Sequence, residues 1–128
     1  HVALVMDIHH HWIRDEEYIE ANDDRVKRVI DSWRGQRPTM HYSYSRDEHL
    51  AVADLGPKTH AEMHDIKMLL ERGCKKQKLR AHSDLLPNKA VNDWALSFSE
   101  NFDIQTEAKG KNIAQEQLYR QAKETAVI

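Results

Sequence analysis

The sequence predicts an α/β fold with parallel strands, and three observations carry that expectation. Strand-like runs stand near residues 2–7, 38–43 and 102–107. Helical periodicities separate them, and each run closes on side chains able to ligate a metal. The resulting order, β-α-β-α-α-β-α, joins strands through helices, which makes them parallel with right-handed crossovers.

The first strand comes from the apolar run Val2 to Met6, whose composition is that of a buried strand, and it closes on Asp7-Ile8-His9-His10-His11. Side chains alternate faces along a strand, so at most two of these three histidines share a face if the strand continues. Residues 12–21 read as a polar, acidic connection. Asn22 or Asp23 caps the next helix, and Val26, Val29, Ile30 and Trp33 mark its buried face before Gly35 ends it. Pro38 opens a second strand, Thr39 to Ser43, with His41 near its end. Tyr44 to Gly56 reads as an irregular loop. Thr59 and Glu62 have the spacing of a capping box, followed by Met63, Ile66, Leu69 and Leu70 as one helical face up to Gly73. His60 and His64, four apart, then share a helix side and read as a solvated pair, since the surrounding letters are not a His-Glu-x-x-His motif.

The one concentrated basic run is Lys75-Lys76-Gln77-Lys78-Leu79-Arg80, leading into Ala81-His82-Ser83-Asp84. Pro87 suits the first turn of a helix whose inner face is Val91, Trp94, Ala95 and Phe98. In the third strand Phe102, Ile104 and Thr106 alternate with Asp103, Gln105 and Glu107. A last helix runs from about 112 to 122, with Ile113, Gln117 or Leu118, and Ala122 inward.

At 128 residues the chain is one domain, 1–128, with 40% hydrophobic and 31% charged residues, enough apolar content for a modest core. A net charge of −2 gives no overall basic field, so nucleic-acid binding has to rest on a local patch. The single cysteine, Cys74, fits a reducing compartment. No apolar run approaches a membrane span and no signal peptide is legible, so a cytoplasmic or nuclear location is expected, without secretion or membrane attachment. The chain opens on histidine rather than methionine, and we expect it to begin inside a longer protein.

In parallel α/β sheets the C-terminal strand ends share one edge, and ligands there converge. Asp7 with His10, then His41, then Glu107 are therefore the candidate metal ligands. His82 is a candidate ligand or general acid/base, and Lys109 a candidate partner for a metal-bound carboxylate or a phosphate. Lys75, Lys76, Lys78 and Arg80 are the candidate phosphate contacts. Trp12 and Tyr42 lie near the same mouth and read as packing residues.

Four segments, Met6 to His10, Arg37 to Ser43, Arg80 to Asp84 and Phe102 to Lys111, occur in an order that resembles the C-terminal half of the UV-damage endonuclease family. His82-Ser83-Asp84 and Glu107-Ala108-Lys109-Gly110-Lys111 are the more specific elements. Residues 44–78 look like a family-variable helical insertion. The resemblance implies about three β/α units of a TIM (β/α)8 barrel, in an enzyme that nicks damaged double-stranded DNA 5′ to a photoproduct. It implies divalent ions, Mn2+ first with Zn2+ or Mg2+ as alternatives, held by Asp7, His10, His41, His82 and Glu107. Two departures accompany it. Thr39 stands where the family commonly has a lysine, and the upstream strands with their ligands are missing, so an N-terminal barrel half or a second chain is an expected partner. A metal-dependent sugar isomerase or epimerase barrel and a non-catalytic half-barrel assembly module are the competing readings.

Overall fold

Three parallel strands lie side by side in chain order in a computed structural model that describes residues 2–126: β1 (Met6–Asp7), β2 (Thr39–Tyr42) and β3 (Asp103–Thr106). Seven α-helices accompany them among the described residues. These are α1 (Ile8–Asp15), α2 (Asp24–Ser32), α3 (Asp47–Leu50), α4 (Ile66–Glu71), α5 (Lys76–Leu79), α6 (Lys89–Leu96) and α7 (Asn112–Ala126). The fold is α/β with a small parallel sheet. No helix among the described residues is long and apolar enough to cross a membrane.

Alternation along the strands gives the sheet two unlike faces. Met6, Met40 and Tyr42 point into the core, while Asp7, Thr39, His41, Asp103 and Gln105 keep contact with solvent. Parallel sheets are ordinarily covered on both faces; here one face is covered and the other is polar. On the covered side the Tyr42 hydroxyl donates to Asn92 Oδ1 of α6 at 2.7 Å, α6 and α7 pack together, and α7 also lies along β3. Ile8, Trp12 and Ile13 of α1 join Leu50, Leu79, Phe98 and Phe102 in the same apolar cluster.

Arg37 closes the opposite end of the sheet. Its guanidinium donates to the carbonyls of Ser99 (2.6 Å), Glu100 (3.0 Å) and Phe102 (2.8 Å) and pairs with Asp103 at 2.7 Å. Asp23 and Asn88 cap α2 and α6 by accepting from the backbone N–H of Arg25 and Val91. After α2 the chain turns through left-handed conformations at Arg34 (φ +52°) and Gly35 (φ +86°), as expected of a glycine stop.

Several local expectations are corrected. The first strand does not span residues 2–7: only Met6 and Asp7 join the ladder, and Val2 is 82% exposed. Extending the register backward would set Leu4 opposite Pro38, which has no N–H to offer. Leu4 instead uses its backbone on α2, accepting from Trp33 Nε1 at 2.8 Å and donating to Ser32 Oγ at 2.9 Å. Residues 12–21 are not all connection, because Asp7 caps α1 and the helix starts immediately. The three histidines therefore lie on a helix rather than a continued strand.

The helix expected from Thr59 begins only at Ile66, capped by Asp65. Thr59 Oγ1 folds back on Gly56, donating to its carbonyl at 2.9 Å, and Met63 stays 43% exposed. His60 and His64 thus do not share a helical face. His60 pairs with Asp47 at 2.8 Å, and buried His64 meets the Tyr44 hydroxyl at 3.2 Å. Pro87 precedes the cap Asn88 instead of entering α6. In α7 the inward residues are Ala114 and Leu118, whereas Ile113 is 68% exposed, a phase displaced by one residue.

Candidate metal centre

Asp7 ends β1, His41 lies near the end of β2, and Glu107 directly follows β3. Asp7 and His41 are register partners on neighbouring strands, so their side chains leave the same face of the sheet. His41 is in turn the partner of Gln105, and Glu107 stands two residues further along, again on that face. The Glu107 N–H donates to the Tyr42 carbonyl at 2.7 Å, which extends the ladder past the strand and fixes where the carboxylate emerges. One donor atom from each of Asp7, His41 and Glu107 lies within 4.8 Å of the others. His41 Nδ1 and Glu107 Oε1 are 3.3 Å apart.

Asp7 has a second task. One of its oxygens accepts the His10 N–H at 2.9 Å, so the helix start holds the carboxylate at the strand end. All three side chains are half-buried, reachable from solvent but anchored on the sheet. Two carboxylates and one imidazole suit a divalent ion that accepts oxygen with some nitrogen, such as Mn2+, Mg2+ or Zn2+. The two negative charges balance such an ion, and the donor set fits it.

No protein family, curated protein or solved structure matches this chain. The chemistry of the site accordingly rests on its own geometry.

The other candidate residues are not drawn into this trio. His10 is exposed on α1 and lines a groove with Asp7, His11, Arg14 and Asp15. His82 lies in the loop paired with Ser45, its ring centroid 6.2 Å from that of His9. Lys109 is exposed, as are Lys75, Lys78 and Arg80 around α5. Lys76 is engaged elsewhere, donating to the Arg14 carbonyl at 3.3 Å and standing 3.7 Å from Glu16. Thr39 occupies the same open face one step below His41 and offers no amine.

The loops around the site are bonded to one another. Ser83 N–H donates to the Tyr44 carbonyl at 2.8 Å, Lys109 N–H to the Ser83 carbonyl at 3.0 Å, and Gly110 N–H to the Asp84 carbonyl at 2.6 Å. Gly110 is required there, because a Cβ would collide with the Asp84 backbone. The segments carrying His82 and Glu107 are therefore held in fixed relation.

Beneath them His9 is buried between two serines. Ser45 Oγ donates its proton to the Leu79 carbonyl at 2.7 Å, so towards His9 Nε2 (3.0 Å) it accepts, and His9 Nδ1 accepts from Ser43 Oγ at 2.8 Å. Burial, the largest influence, lowers the His9 pKa from 6.5 to about 4, which keeps the ring neutral. His11 instead meets Asp15 and Glu17, each at 2.9 Å. Trp12 and Tyr42 are both buried, so neither is presented for stacking on a ligand.

Sequence reasoning missed two features. The serine cradle of His9 joins residues far apart in the chain, and nothing local signals it. Gln105 was legible in principle, by counting two residues back from Glu107 along an alternating strand.

Proposed function

We propose that this chain is the metal-binding, C-terminal part of a DNA-repair endonuclease of the UV-damage type, built from about three β/α units of a (β/α)8 barrel. The observation that supports it is the meeting of Asp7, His41 and Glu107 at the same end of three neighbouring parallel strands. Parallel strands adjacent in chain order, separated by helices and carrying ligands at their C-terminal ends, are also what successive barrel units have. An upstream barrel half or a second chain completes the ligand set, and the reaction takes place on DNA in the cytoplasm or nucleus.

In this reading a bound divalent ion supplies Lewis acidity and a water of lowered pKa, the chemistry that phosphodiester hydrolysis needs. Asp7 and Glu107 contribute the anionic charge that holds the ion, and His41 contributes a neutral nitrogen donor. His82 serves proton transfer or a further ion, and Lys109 meets phosphate charge. Lys75, Lys78 and Arg80, exposed on the approach to His82, contact the DNA backbone without reading sequence. The bond cut is the phosphodiester 5′ to a photoproduct, leaving a 3′-hydroxyl.

The test combines elemental analysis of the purified chain with binding to a UV-irradiated duplex. A stoichiometric divalent ion that is lost in Glu107→Gln, together with DNA affinity falling steeply with salt, is the expected result. A chain that retains no ion, or that binds sugars with no salt-sensitive DNA affinity, would overturn it in favour of the assembly or the isomerase reading. The assembly reading draws on one observation, the sheet face on which Asp7, Thr39, His41, Asp103 and Gln105 keep contact with solvent; its signature is a metal-free dimer. Incision by the isolated chain is expected to be weak, since part of the ligand set lies outside it.

A further inference from the structure

We infer that Gln105 supplies a fourth donor, its side-chain carbonyl oxygen, to the ion held by Asp7, His41 and Glu107, and that this biases the site towards Mn2+ or Mg2+ over Zn2+. The inference rests on the metal-site reading above. Asp7, His41 and Gln105 form one row across the three strands, each the register partner of the next. Partners in a row leave the same face of the sheet, so Gln105 shares the open, ligand-bearing face with the trio. Glu107, two residues on, directly follows the same strand.

The Gln105 side chain is exposed and makes no hydrogen bond among the described residues. Other glutamines nearby are committed to structure. Gln115 accepts from Thr106 Oγ1 at 2.7 Å, and Gln117 accepts the Leu86 N–H at 2.9 Å. An unpaired amide beside His41 has a free carbonyl oxygen, a ligand type that oxygen-seeking cations accept. It adds a donor without adding charge, so the two carboxylates still balance a divalent ion. One nitrogen and three oxygens on an open face leave room for water, which favours six-coordinate ions over four-coordinate zinc with its nitrogen and sulfur preference.

The experiment is a Mn2+ titration of the 128-residue chain followed by electron paramagnetic resonance of the free aqua ion. Wild type is compared with Gln105→Met, Gln105→Glu and Asp7→Asn, with circular dichroism as the check on folding. Gln105→Met keeps the length and removes the oxygen; it is expected to weaken Mn2+ binding roughly tenfold and to leave Zn2+ binding nearly unchanged. Gln105→Glu is expected to tighten Mn2+ binding by adding a third negative charge. As a second readout, the Gln105 side-chain amide resonance should shift when Mg2+ is added. If Asp7→Asn weakens Mn2+ binding while Gln105→Met matches wild type, the fourth donor is refuted and the trio stands. If Asp7→Asn also matches wild type, the trio itself is refuted.

Discussion

His41 Nδ1 and Glu107 Oε1 approach to 3.3 Å across the β2–β3 seam while about a third of each side chain stays in solvent, 33% and 32%. A pair so exposed contributes little to stability, because water screens it. Its value is positional: with Asp7 it concentrates two carboxylates that repel one another until a cation arrives.

That arrangement predicts a separation between stability and binding. Glu107→Gln should leave the metal-free chain within about 0.5 kcal/mol of wild type. Wild type should gain about 2.7 kcal/mol when Mn2+ is present at one hundred times its dissociation constant, and the variant should gain almost nothing at that concentration. Thermal unfolding with and without Mn2+ checks both halves.

Acid should unfold the metal-free chain earlier than its exposed groups alone require. The folded His9 pKa, about 4, lies below its ordinary 6.5, so the unfolded state binds the proton more readily. The contribution is intact above pH 6.5 and is lost as pH falls towards 4. The shift corresponds to about 3 kcal/mol across that window. Burial lowers buried His64 in the same direction. Asp23, held near 2 by Arg25, gives way only in stronger acid, which keeps the two windows apart. Urea midpoints with a chelator present, read between pH 7 and 4, should fall steeply for wild type and more gently for His9→Phe.

Gly110→Ala should be costly despite adding one methyl group. The Cβ has nowhere to go but the Asp84 backbone, so the 83–84 loop must shift. We expect a loss of about 2 kcal/mol with weaker Mn2+ binding, because the shifted loop is bonded to the segment that carries Glu107. Equal chemical-denaturation midpoints for variant and wild type would show that the loop contact is slack.

Arg37→Ala should destabilise by about 1–2 kcal/mol while leaving the metal affinity untouched. Arg37 works at the opposite end of the strands from the trio, where it gathers the carbonyls of Ser99, Glu100 and Phe102. Arg37→Lys should recover only a fraction, since an ammonium does not reproduce the planar fork. Denaturation curves paired with Mn2+ titrations separate the two effects.

The parts legible in the sequence were those with a local period. Phe102 to Glu107 alternates cleanly, and Asp23 with Val26 announces α2, so β3 and α2 fall where expected. The nearness of Asp7, His41 and Glu107 followed from strand parallelism alone. What escaped was every residue with two competing local uses. Asp7 reads as a strand end and is also a helix cap, which moves His9 from a strand to a buried helical position. Thr59 has the letters of a capping box, yet its hydroxyl is satisfied by Gly56. Val2 to Val5 look like strand, but Pro38 stands where the partner of Leu4 should be.

Among the described residues only β2 has a hydrogen-bonded strand on each side. Amide exchange should therefore be slowest at Met40 and Tyr42 and faster in β1 and β3, each of which has a strand on one side only. His41 thus rides on the strand paired on both sides, and Asp7 and Glu107 on or just beyond the two outer strands. An ion gripped by all three would fasten the two outer strands to the centre, and its arrival would register as slower exchange far from any ligand atom.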